Sequence, residues 1–191
     1  DLRQGLGQLA YRGQTETLTL VKYATRLQPL CSWFEPCPNV RRVASMKLTD
    51  ALLGEHAVIY ELFDYVRDTI LKSNDIRDIR GVGAVLERLI VSHAQIEDDF
   101  LFPRLESHLG PMGPLAVMRH EHREIAELLE AAKSETDIAT LKGVIGQFLE
   151  LAHDHFQKEE MVLFNMARQS LDEATLKELG QEWAARRNVN C

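Results

Sequence analysis

The chain has 191 residues, enough for one domain with a substantial core and marginal for two. Hydrophobic residues make up 45% and charged residues 27%, an ordinary globular balance, and the formal net charge of -7 argues against a nucleic-acid backbone as partner. No apolar run is long enough to span a bilayer, and Lys22 and Arg26 interrupt the one apolar stretch near the start, so the cytoplasm is the expected address.

Residues 1–46 read as an irregular, peripheral N-terminal extension, with a helical period only between Glu16 and Leu27. Cys31, Cys37 and Cys191 lack zinc-type Cys-x-x-Cys spacing and are expected as reduced thiols. From Thr49 the period becomes helical, and a first helix is predicted to about Lys72. Ser73-Asn74-Asp75 supplies a stop and the next N-cap. A second helix is predicted over Ile76 to His108, weakened at Gly81 and Gly83 and bent near Pro103. Gly110-Pro111-Met112-Gly113-Pro114 breaks the chain, and a third helix follows over Leu115 to Lys133. After a cap in Ser134–Asp137, a fourth helix is predicted to Gln169, and a capping box of Ser170 and Glu173 opens a short last helix ending near Arg187. Short connections between long helices imply antiparallel neighbours. The expectation is an all-α fold, an up-down-up-down four-helix bundle over residues 47–187 with a tail at 188–191.

The two halves of this region repeat a set of polar residues. The first contains Glu55-His56, then His93-x3-Glu97-Asp98 followed by Leu101-Phe102. The second contains Glu121-His122, then His155-x3-Glu159-Glu160 followed by Leu163-Phe164. Residues four apart on a helix lie about 40° from each other. His155 therefore shares a stripe with Phe148, Leu151, Glu159, Val162 and Met166, and His93 with Leu86, Leu89, Glu97 and Phe100. His122 faces with Leu115, Met118 and Leu129, and His56 with Leu52, Tyr60 and Phe63. His120 and His153 fall on the opposite side and His108 lies far along its helix, so all three are expected at the surface.

Buried imidazoles and carboxylates are costly unless paired or metal-bound. The bland alternative is a hydrogen-bonded His–Glu network in the core. Two matched sets of two His and one Glu favour instead the ligand pattern of non-haem iron, with Glu97 and Glu159 placed to bridge two ions; zinc or manganese would accept the same atoms.

The stretches Leu-Leu-Gly-Glu-His56, His93-x3-Glu97-x4-Phe102-Pro103, Glu121-His122-Arg-Glu-Ile and His155-x3-Glu159-Glu160-x2-Leu-Phe resemble the hemerythrin-like (HHE cation-binding) family. The resemblance implies a bundle with a non-haem di-iron centre that binds O2 or responds to oxygen, nitric oxide or iron supply. Its ligands here would be His56, His93, Glu97, His122, His155 and Glu159. Oxygen-carrying hemerythrins have a further His one turn before the position of His122, where this chain has Met118. A thioether is a poor ligand for hard iron. Water, Glu160, Asp98 or Tyr60 could fill that place, and simple O2 carriage is disfavoured. The leading expectation is an iron-binding or sensing module with a metal ion and a diatomic such as O2 or NO as partners, and no catalytic residue is assigned. A di-iron oxidoreductase acting on O2 or peroxide, or in repair of iron centres, comes second. A metal-free helical interaction module comes last.

Overall fold

The computed structural model describes residues 46–189. The readings for residues 1–45, including the Glu16–Leu27 period, Cys31 and Cys37, lie outside the described residues, as does Cys191. Helix α1 spans Leu48–Lys72, α2 Ile76–Ile96, α3 Phe102–Leu109, α4 Pro114–Ser134, α5 Ile138–Lys158, α6 Phe164–Ser170 and α7 Glu173–Arg187. Among the described residues there is no strand. The predicted all-α bundle is what forms: α1 packs against α2 and α5, α4 packs against the same two, and α7 lies along α1.

The chain's punctuation follows local chemistry. Asp75 caps α2 by accepting the amide of Arg77 at 2.8 Å, and Asp137 caps α5 through Thr140 N at 2.8 Å. Gly110 (φ 75°) and Gly113 (φ 78°) turn the chain between α3 and α4 in left-handed backbone that a side chain would strain. The expected capping box at Ser170 and Glu173 does not form. Asp172 is the N-cap of α7 instead, accepting from Thr175 N at 2.7 Å.

A second correction bears on the site. The long second and fourth helices are not interrupted at Gly81, Gly83 or Pro103; each is broken at its glutamate. Residues Glu97–Leu101 and Glu159–Leu163 form one wide turn each, closed by i→i+5 bonds from Phe102 N to Glu97 O and from Phe164 N to Glu159 O. The wide turn absorbs one extra residue and so shifts the buried face. Leu101, Phe102, Leu163 and Phe164 enter the core, while Val162 is exposed and Phe100 and Met166 are only half-buried. Leu89, also predicted inward, is exposed, and Ile90 is buried in its place.

The core has two apolar clusters. One gathers Leu52, Ile96, Phe102, Met118, Phe164 and Leu179, and the other Ile59, Phe63, Ile90, Ile125, Phe148 and Phe156. His56 lies in sequence between Leu52 and Ile59, His93 between Ile90 and Ile96, and His122 between Met118 and Ile125. The polar residues form the layer where the two clusters meet.

Candidate metal centre

Four helices and two wide turns bring the six predicted residues together. His56 (α1), His93 (α2), His155 (α5), Glu97 and Glu159 are 0–1% exposed, and the His122 side chain (α4) is 10% exposed. His56 Nε2 and His93 Nε2 lie 3.0 Å apart. Glu159 reaches both halves, with Oε1 at 3.0 Å from His155 Nε2 and Oε2 at 3.3 Å from His56 Nε2. Glu97 does the same, with Oε2 at 3.4 Å from His122 Nε2 and 3.7 Å from His93 Nε2. Two groups could each hold an ion: Glu97, His122, His155 and Glu159, and His56, His93 and Glu159. Glu159 is common to both.

The donor set fits a metal. All four carboxylate oxygens of Glu97 and Glu159, with Nε2 of His122 and of His155, are buried without a hydrogen-bond partner. Buried polar atoms are seldom left so. The 3.0 Å gap between the His56 and His93 nitrogens is close to the ~3 Å between neighbouring ligands bonded at ~2.1 Å to one ion. Imidazole nitrogen with hard carboxylate oxygen suits iron, and also manganese or zinc.

A second ring of acids holds the imidazoles from behind. Each Nδ1 faces a carboxylate: His93 meets Glu55 at 2.8 Å, His155 Glu121 at 2.9 Å, His56 Glu160 at 2.8 Å and His122 Asp98 at 3.4 Å. Such a partner keeps the proton on Nδ1 and leaves the Nε2 lone pair facing inward. The pattern explains the repeat. The Glu before each first His serves the second His of its own hairpin, and the acid after each buried Glu serves the first His of the other hairpin. Each wide turn thus grips one ring by both nitrogens, Glu97-Asp98 on His122 and Glu159-Glu160 on His56. These four outer acids stand in the repeated motif, and two of them, Asp98 and Glu160, meet their rings only when the hairpins are paired. Asp98 and Glu160 contact the outward edges of the rings, so they do not take the place left by Met118, which is buried in the apolar cluster.

Charge is balanced inside the layer. Burial, reinforced by the charge of Glu159, pushes Glu97 above the usual carboxylate range. Burial acts on Glu159 too, but His155 and His56 outweigh it and hold this carboxyl well below that range. Burial disfavours the charged form of His122, yet Asp98 and Glu97 carry it up to about 10. His56 and His155 are raised likewise against burial, chiefly by Glu159. Burial alone would raise Glu55, but hydrogen bonds from His93 and Arg187 bring it down to about 2.

Of the excluded histidines, His108 and His120 are exposed as expected. His153 is only half-exposed, its ring 5.4 Å from that of Tyr60. A cleft of about 170 Å³ between α2, α4 and α5 reaches His93, His122 and His155 past Ala94, Ile125 and Ala126.

An antiparallel bundle with an interior His/Glu layer is the framework of a metal-binding helical domain. Residues 47–140 match the hemerythrin HHE cation-binding domain family, and this segment belongs to it. The match ends short of His155 and Glu159, which the symmetry of the site supplies. The chain is 35% identical over 104 residues to the iron-sulfur cluster repair protein YtfE of Enterobacter sp. (strain 638), covering 46% of this chain and 47% of that protein. It is 27% identical over 140 residues to a DNA nickase of Nostoc sp., covering 73% of this chain and 37% of the nickase. It thus spans half or less of the length of these curated relatives. A crystal structure of a hemerythrin HHE cation-binding domain-containing protein from Mycobacterium kansasii superposes with a TM-score of 0.63 at 23% identity, covering 75% of this chain and 86% of that one. Among the described residues no helix is long and apolar enough to cross a membrane.

Proposed function

We propose that residues 47–187 form a non-haem iron protein with two ions held by His56, His93, Glu97, His122, His155 and Glu159, and that it binds or senses O2, NO or iron. The observation that carries this reading is the pair of fully buried, unpartnered carboxylates, each within reach of histidines from both hairpins. Iron bound there would supply one-electron chemistry and positions open to a small ligand. The protein's own part is to aim four Nε2 atoms inward through the Nδ1 carboxylates, to exclude bulk water with two apolar clusters, and to admit only small molecules. The 170 Å³ cleft supports the last point, being too small for most organic substrates.

Repair of iron centres is the second reading, supported by the likeness to YtfE repair proteins. The nickase's activity is not carried over: a chain of net charge -7 favours a metal over a DNA backbone as partner. The test is metal content and the visible spectrum of protein purified without air and then exposed to O2 or NO. Close to two irons per chain and charge-transfer bands that respond to the gas are expected. A spectrum indifferent to both gases overturns the sensing reading. Recovery of a damaged iron–sulfur enzyme on mixing with the iron-loaded protein would favour repair.

A further inference from the structure

The four acids behind the imidazoles are not held alike. Glu121 is paired by Lys158, from its own hairpin. Asp98 and Glu160 pair with no Lys or Arg among the described residues. Glu55 is clamped from outside the four-helix frame, by α7. Arg187 donates from Nε to Oε1 at 2.7 Å and from Nη2 to Oε2 at 2.9 Å, and Trp183 Nε1 donates to Oε1 at 2.6 Å. Arg187 is anchored in turn on Ser92, through its hydroxyl and through its carbonyl at 3.1 Å. Ser92 is the neighbour of His93. The guanidinium therefore ties α7 both to the backbone that carries the ring and to the carboxylate that orients it.

We propose that Arg187 and Trp183 are positioning residues for the ion at His56 and His93, so that docked α7 governs how firmly that ion is retained and leaves the ion at His122 and His155 unaffected. The inference rests on the two-ion reading above. It assigns the C-terminal helix a task beyond closing the apolar core. A fork with both its arms engaged holds Glu55 in one rotamer, which fixes the tautomer and tilt of His93. The Arg187 guanidinium also neutralises Glu55, whereas Glu160 behind His56 stays unpaired by Lys or Arg among the described residues, so the two ligands of this one ion differ in donor strength.

The test uses the full chain loaded with ferrous iron without air, then mixed with excess ferrous chelator while release is followed in time. Arg187→Gln is expected to speed release of one ion about 10- to 100-fold and leave the other at the wild-type rate. Arg187→Lys, which keeps charge but loses the fork, falls between. Trp183→Phe keeps an aromatic ring and removes one donor, so it gives a smaller effect of the same selectivity and serves if Arg187→Gln folds poorly. Lys177→Gln, on the same helix and paired with Glu173 of that helix, behaves as wild type. Equal acceleration of both ions, or acceleration of neither, overturns the role given to α7. Wild-type protein that takes up no iron overturns the reading of the site instead.

Discussion

Glu159 shows how much one side chain carries in this layer. It is fully buried, lies within 3.3 Å of a histidine from each hairpin, and belongs to both candidate metal groups. An ionised carboxylate so placed costs several kcal/mol unless cations surround it. The raised histidines supply those charges in the metal-free chain, and a metal would supply more. Glu159→Ala should therefore lower iron affinity by at least ~100-fold, while His153→Ala, at the edge of the bundle beside Tyr60, should leave it near wild type. Equal iron content in the two variants would remove the basis for the ligand assignment. Gly180 matters for a steric reason. A Cβ there would sit 1.8 Å from the carbonyl oxygen of Met46, because α7 lies directly on the start of α1. Gly180→Ala should cost about 1–3 kcal/mol of stability in a denaturant titration, as for other overpacked sites.

The two wide turns are the element on which the site depends. In a regular helix, successive side chains point about 100° apart, so Glu159 and Glu160 would not both reach the ring of His56. The wide turn lets one strand of backbone present both acids, and Glu97-Asp98 does the same for His122. The apolar residues beyond it need the wide turn only because the native chain carries one extra residue there. With Met161 deleted, Leu163, Phe164 and Ala167 would fall about -60°, 40° and -20° from Glu159 on a regular wheel, still on the core face. Deleting the exposed Met161 is thus expected to preserve helix content and cooperative melting by circular dichroism while lowering metal content. Loss of the fold itself would mean that the wide turn is structural. These turns are also the part of the fold least legible in the sequence. Helix positions, caps at Asp75 and Asp137, and the inward set of His and Glu are legible from periodicity and turn chemistry. The wide turns are not, because an inserted residue leaves composition unchanged and displaces only the apolar positions near it. Val162 reads as inward on a regular wheel for that reason. Leu89 lies ahead of its wide turn, and nothing in the structure accounts for its outward face.

At the scale of the whole molecule, the layer links folding, protons and metal. Two of the Nδ1 carboxylates that repeat in the sequence, Asp98 and Glu160, become interpretable only when the hairpins are paired, since each wide turn serves the opposite half. That pairing makes the site a property of the closed bundle, and the bundle's stability should report on it. In the metal-free chain His122 rises from its ordinary 6.5 to about 10, and His56 and His155 move the same way. A histidine raised on folding contributes stability that is whole below pH 6.5 and is lost as pH climbs toward about 10. Glu55, lowered from 4.5 to about 2, contributes stability that is whole above pH 4.5 and is lost as pH falls toward about 2. Metal-free protein should therefore melt highest between those limits, and higher near pH ~5.5 than near pH ~8.5. Bound metal reverses the trend, because it needs the imidazoles neutral and displaces their protons, so its affinity grows with pH. Melting curves with and without ferrous iron at the two pH values should show a larger metal-induced rise in Tm at the higher one. A metal-free chain more stable in alkali than in weak acid would mean that the histidines of this layer are already neutral before metal arrives, leaving no protons for the metal to displace.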